Sequence, residues 1–249
     1  LSFAGYSFCK GHSCSYIQVA QQSAYLRANH PAEFIAAVLS NEGGFYRSFA
    51  YVAEARRMGV TILPPCVNAS EWRCTGHGSA MRVGLMFVKG LSQEGADRLL
   101  ATRAADGPFA SLDDVRARTA LRPDDLRLLV KVGALDGIAG AFTRPQLLWC
   151  VDTEAPRGLT AAAGEFLTTP PPVPALRDYD VERKRRDAWA LLGFCLDAHP
   201  MTLHAETLRR FRLVKSTDLH QHVGKRVLMA GMYTTGKPVH TAAHEPMQF

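Results

Sequence analysis

Two short stretches set the terms on which this chain can fold. "VKGLSQEGADRLL" (Val88–Leu100) and "LVKVGALDGI" (Leu129–Ile138) each set a lysine shortly before a glycine, with an apolar residue after it. In the first, Gly90 can make a tight turn, Leu91 can plug the space between two helices, and a new helix can begin around Ser92. In the second, Lys131 and Gly133 stand in the corresponding places. One such glycine often does no more than end a helix. Two of them, roughly forty residues apart in a helical context, predict a tandem helix-hairpin-helix unit. Backbone N–H groups at the hairpin and helix start lack partners inside the helix and can take a phosphate, with a lysine beside them as a point charge. Such contacts hold the sugar-phosphate backbone without reading bases. Lys89, Gly90, Leu91, Ser92, Lys131 and Gly133 are therefore the candidate DNA-binding residues.

The charge balance suits that reading without requiring it: 29 Lys and Arg oppose 23 Asp and Glu, for a net charge of +6. An apolar fraction of 47% excludes wholesale disorder. No apolar run approaches the roughly 20 residues a membrane span needs, and the N-terminus lacks the order of a signal peptide. Six cysteines (Cys9, Cys14, Cys66, Cys74, Cys150 and Cys195) are spread along the chain, a pattern expected of reduced thiols in the cytoplasm. The first residue is Leu1, already inside patterned sequence, so a piece of a longer protein is expected.

Around the two hairpins the periodicity predicts mostly helices. Residues 12–28 form one, stopped by Asn29-His30-Pro31; "PAEFIAAVLS" and "FYRSFAYVAEARRM" form two more, the last ended by Gly59. "VTILPP" and "AMRVGLMFVKG" read as strands. Helices follow at "LSQEGADRLLATRAA" and "FASLDDVRARTA", with Ser92 and Ser111 as caps, at "LRPDDLRLLVKV" with Leu126, Leu129 and Val130 on one face, and at "TRPQLLWCVD". Pro170–Pro172 and Pro174 mark an exposed linker. A charged helix then carries the basic run Arg183–Arg186, which reads as a solvated face, and "GKRVLMAGMYTT" resembles the first strand of an OB-fold. Trp72, Trp149 and Trp189 read as core anchors.

Cys9, His12 and Cys14 invite a zinc reading. A structural zinc site wants four converging ligands. If this segment is helical, His12 and Cys14 point about 200° apart. Cys66, Cys74 and His77 offer a second grouping, but the two prolines before Cys66 and Trp72 between the cysteines suit a loop-to-strand crossing equally well. No metal site is expected.

The motifs also occur in a recognisable order. "FCKGHSCSYIQVAQQSAYLRANHPAEFIAAVLS", "EARRMGVTILPPCVNAS", "VGLMFVKGLSQEGADRLL", "GPFASLDDVRAR", "LLVKVGALDGI" and "LLGFCLDAHPM" resemble successive segments of the bacterial C-family DNA polymerases, of the DNA polymerase III alpha type, replicative or error-prone. The resemblance covers most of the chain from Phe3 and weakens across the proline-rich stretch. It implies a mainly α fold with small β elements (α+β). The implied order is a late fingers segment (1–78), a tandem helix-hairpin-helix domain (79–150), a Pro-rich linker (151–177), a helical connector (178–211) and the truncated start of an OB-fold (212–249). It further implies that Lys10, His12 and Tyr16 face the incoming nucleotide.

The implied partners are primer-template DNA and a deoxynucleoside triphosphate, with the sliding clamp and other polymerase subunits in the parent, and no membrane. Mg2+ would be held by palm carboxylates expected before Leu1, so this fragment is expected to be inactive alone and to hold no cofactor. No Gln-x-x-Leu-Phe-like clamp-binding segment occurs between the hairpins and the expected OB start. The competing reading is a stand-alone helix-hairpin-helix module of DNA repair or recombination.

Overall fold

The computed structural model describes residues 10–42, 45–153, 172–236, 238–240 and 246–248. It is mainly helical with small β elements. Helix α1 (Lys10–Asn29) gives way at His30 to α2 (Pro31–Ser40), whose proline stands in the first turn, where its missing N–H costs nothing. After α3 (Ser48–Arg57) the chain turns at Gly59, with φ +80°, and enters β1 (Thr61–Leu63). Two further strands, β2 (Thr75–His77) and β3 (Ala80–Arg82), complete a sheet of order β1-β3-β2, with β1 parallel and β2 antiparallel to β3.

The sheet corrects one expectation. "AMRVGLMFVKG" is not a single strand: only Ala80–Arg82 pairs. Beyond it, the N–H groups of Leu85 and Met86 donate to the carbonyls of Glu71 and Trp72, and Leu85–Phe87 coils into a 3-10 turn. Gly84 permits that crossing, because a Cβ there would lie 2.5 Å from the Trp72 carbonyl oxygen. Gly76 plays the same part in β2, where a Cβ would lie 2.3 Å from the Glu33 backbone nitrogen of α2.

Helices α4 (Gln93–Asp106), α5 (Leu112–Thr119), α6 (Pro123–Lys131) and α7 (Arg144–Thr153) follow. Ser92 and Ser111 cap α4 and α5 as expected, their hydroxyls accepting from the N–H groups of Gly95 and Asp114. Leu126, Leu129 and Val130 of α6 are buried against Leu99, Val115 and Leu147 in one continuous core. Arg103 of α4 donates to the carbonyls of Val67 and Ser70, tying the loop between β1 and β2 to the helices.

Helix α8 (Val181–Leu192), capped by Asp180 and ended by Gly193, packs back onto this core. Trp189 meets Phe49 at 5.9 Å, Phe194 meets Phe87 at 5.6 Å, and the Arg56 guanidinium donates to the carbonyls of Ala198 and Cys195. Trp72 and Trp189 lie against the core as expected, whereas Trp149 is 37% exposed. The basic run Arg183–Arg186 is balanced residue by residue: Arg183 by Asp187, Lys184 by Asp178, Arg185 by Asp197 and Arg186 by Glu182.

The tail carries α9 (Ala205–Leu208) and a two-stranded pairing of β4 (Pro238–His240) with β5 (Pro246–Gln248). Residues 226–235, expected as a strand, form none. The Val214 N–H donates to the Leu228 carbonyl and Met232 packs against the core, while Val227, Leu228, Met229 and Tyr233 stay exposed. Without a partner ladder to pair its backbone, an alternating apolar pattern does not make a strand.

Candidate nucleic-acid interface

The first hairpin is built from three pieces. The 3-10 turn at Leu85–Phe87 leads in, Gly90 reverses the chain at φ +89°, and α4 leads out. Lys89 and Gly90 are exposed, and Leu91 and Ser92 are half-buried. Two contacts fix the turn from outside. The Lys89 N–H donates to the Leu191 carbonyl at the end of α8, 2.8 Å away. From α6, Asp125 accepts from the Ser92 N–H at 3.0 Å and from the Ser92 hydroxyl at 2.8 Å.

Among the described residues, the N–H groups of Gly90, Gln93 and Glu94 meet no acceptor. They lie within one turn of each other at the positive end of α4, beside the Lys89 side chain. That is the arrangement that accepts a phosphate. Glu94 is the acid of this first turn and leans toward Arg98, 3.8 Å away.

Asp125 was missed by sequence reasoning. In "LRPDDL" two acids sit in the first turn of a helix, where either reads as a dipole partner, and only the packed fold shows which one turns inward. Its carboxylate is fully buried and also accepts from the Arg122 Nε at 3.2 Å. Burial pushes its pKa up, but the Ser92 N–H, the Arg122 guanidinium and the Ser92 hydroxyl together outweigh burial and hold it below the ordinary aspartate value.

The second hairpin has the same shape and a different surface. Gly133, with φ +81°, is buried, and its N–H donates to the Val130 carbonyl. Arg144 covers it: the guanidinium donates to the Lys131 carbonyl at 3.0 Å and pairs with Asp136 at 2.6 Å. A Cβ on Gly133 would lie 2.1 Å from Arg144 Nη2. Lys131 itself is half-buried. The first hairpin lies close to α6, where a Cβ on Gly90 would stand 3.4 Å from Leu128 Cδ1. Of the six candidate residues, Lys89 and Gly90 are therefore open, Leu91, Ser92 and Lys131 are half-buried, and Gly133 belongs to a covered turn.

His12 and Tyr16 lie on α1 as expected, and the helix begins two residues earlier than expected, so that Lys10 is its first residue. The side chains of Lys10 and His12 lie outside the described residues, and Tyr16 is 65% exposed. The residues whose three- and four-residue spacing marks this helix, Tyr16, Ile17, Ala20 and Ala24, do not enter the core, and Val19, Tyr25 and Leu26 are exposed as well. Cys9 lies outside the described residues. Among the described residues no group of three or more His, Cys, Asp or Glu could hold a metal ion. Cys74 is buried instead, its sulfur accepting from the Gly84 N–H, and burial pushes its thiol pKa up. Also among the described residues, no helix is long and apolar enough to cross a membrane.

Residues 59–147 match a family profile described as a helix-hairpin-helix motif. Over nearly its whole length the chain is also similar to proteins named error-prone DNA polymerase. It is 36% identical over 224 residues to that of Alkalilimnicola ehrlichii, covering 87% of this chain and 21% of the relative. It is 34% identical over 256 residues to that of Burkholderia pseudomallei, covering 96% and 23% respectively. For Mycobacterium tuberculosis the identity is 34% over 238 residues, covering 94% and 21%. The chain thus spans between 21% and 23% of the length of these curated relatives.

Proposed function

Because this chain belongs to the bacterial C-family DNA polymerases, matching one segment of the error-prone members, we propose that it is the part of such an enzyme that grips duplex DNA. In this reading the first hairpin seats a backbone phosphate of primer-template DNA during template-directed synthesis, in replication or repair. The carrying observation is the open set of N–H groups at Gly90, Gln93 and Glu94 beside Lys89, held in shape by Asp125 and Leu191. Lys131, at the end of α6, adds charge near the second hairpin, whose glycine is occupied by Arg144.

Helix α1 carries the second half of the proposal. Lys10 and His12 would meet the triphosphate of an incoming deoxynucleotide, and Tyr16 its sugar or base. Nucleotidyl transfer itself is assigned to the protein that contains this segment. The Mg2+ such transfer uses has no seat among the described residues, so none of the chemistry proposed here passes through it. The sliding clamp and other subunits remain partners of that whole protein, with the cytoplasm as its compartment. A stand-alone helix-hairpin-helix module would share residues 59–147; similarity over as much as 96% of the chain speaks for the polymerase segment.

The test is a titration of the chain with fluorescent duplex, primer-template and single-stranded DNA at several salt concentrations. Binding that prefers duplex-containing DNA and weakens with salt is expected. Lys89→Glu should weaken duplex binding at every sequence and reduce the log-affinity against log-salt slope by about one. Unchanged affinity and slope in that variant would mean the hairpin does not touch DNA.

A further inference from the structure

A second surface, on the side of α2 and α3 away from the sheet, has the makings of a different DNA contact. A cavity of about 610 Å3 opens between α1, α2, α3 and the loop that joins α2 to α3, with Thr234 of the tail also lining it. Its floor is apolar, from Phe34, Ile35, Val38 and Ala50, and its wall is aromatic, from Phe45, Tyr46 and Tyr51. The wall is a connected set: Phe45 meets Tyr46 edge-on at 5.4 Å, and Tyr46 meets Tyr51 at 6.1 Å. Tyr51 spends its hydroxyl on the structure, accepting from the Tyr46 N–H at 3.2 Å, which fixes the loop that presents the other two rings. Phe45 is nonetheless 82% exposed. Held open to water beside an apolar recess, such a ring is costly unless something covers it.

The charges at the rim say what kind of ligand fits. Glu54 is shared by two guanidiniums, Arg27 from α1 and Arg57 at 3.3 Å, so one positive charge there is not balanced by its carboxylate. On the other side of Tyr46 a smaller recess of about 190 Å3 is lined by Arg47 and Glu42. Arg47 forms no ion pair among the described residues. The surroundings of the rings therefore carry three guanidiniums and two carboxylates. An aromatic wall, an apolar floor and surplus cationic charge suit a flat apolar group joined to an anion.

We propose that Phe45 and Tyr46 stack an unpaired base of single-stranded DNA in this cavity, with its flanking phosphate between Arg27 and Arg57. The volume lies within the usual range for ligand pockets. Stacking on aromatic rings serves any base, because every base offers a π-face, so the site recognises strandedness rather than sequence. The inference takes from the preceding section only that DNA is the partner. It adds a contact that the duplex-holding hairpin does not make.

The experiment uses the full chain and a short single-stranded oligonucleotide carrying one central 2-aminopurine, whose emission is quenched by stacking. Quenching that saturates on titration at low salt is expected. In the Phe45→Ala/Tyr46→Ala double variant, affinity for the single strand should fall about tenfold, the loss of roughly one stacking contact. Its duplex affinity should be unchanged, and Phe45→Trp should retain single-strand binding. Phe45 is exposed and the Tyr46 N–H survives substitution, so both variants should melt with the native chain. Single-strand affinity in the double variant equal to native would overturn the proposal. So would absent binding, or saturation without quenching, which would point to an apolar protein segment as the true occupant. If instead Lys89→Glu leaves duplex affinity untouched, the hairpin reading falls, and the quenching titration still decides this one.

Discussion

Asp125 shows how one side chain can hold a turn it does not itself form. Its carboxylate satisfies both polar groups of Ser92 while fully buried, so Asp125→Ala would leave an N–H and a hydroxyl without acceptors. Stranding such groups costs about 2–3 kcal/mol, which urea unfolding of the variant should register. The same carboxylate makes stability depend on pH. Its folded pKa is depressed, so its contribution is present above the unfolded aspartate value of about 3.9 and is lost as pH falls through the lower folded value. Melting of the native chain should therefore fall more steeply below about pH 4 than melting of Asp125→Asn. Lys89 and Gly90 were legible in the sequence because a glycine with positive φ and an adjacent cation are local facts. Asp125 was not, because its meaning depends on where α6 packs.

At the scale of elements, helices were read well and strands poorly, for a physical reason. Each helix from α2 to α8 has a cap, a proline or a glycine at an end, and a 3.6-residue apolar repeat, all local signals. The strands of the first sheet are three residues each and exist by virtue of their partners. "TGH" of β2 carries no alternation at all; what defines it is the close backing of Gly76 onto α2. Gly76→Ala would set a methyl group 2.3 Å from the Glu33 backbone nitrogen and 2.4 Å from the Ala32 carbonyl carbon, neither of which can rotate away. A loss of at least about 2 kcal/mol is expected. Gly78→Ala is the companion control: nothing lies within 4 Å of its Cβ, and only its φ of +60° opposes the change. Equal melting temperatures for Gly76→Ala and the native chain would show that α2 and β2 do not approach so closely. The pattern along α1 misled in the opposite sense, since its apolar residues repeat helically yet stay in water. Periodicity reports a helix, not what will cover it.

For the whole molecule, the decisive contact is the return of α8. A charged helix after a proline-rich stretch reads from sequence as a connector, yet it supplies Trp189 and Leu192 to the core, with Phe194 just after it, and the acceptor for the Lys89 N–H. Trp189→Ala should lower stability by about 3 kcal/mol, the usual loss for truncating a large aromatic side chain against a core. It should also speed hydrogen exchange of the Lys89 amide more than that of amides in α2, because the hairpin is fastened where α8 ends. Equal acceleration at both places would mean that α8 stabilises the chain without positioning the hairpin.

That fastening has a consequence in time as well as in space. The Lys89 N–H and the Leu191 carbonyl are separated by about a hundred residues of chain, and pairings across such a distance form late, after the entropy of closing the loop has been met. During synthesis α4 and α6 can meet, and Asp125 can seat Ser92, while α8 is still inside the ribosome. The hairpin then exists in outline but lacks its outer brace. The turn proposed to hold DNA is thus a late product of folding, completed by a helix made well after the turn itself.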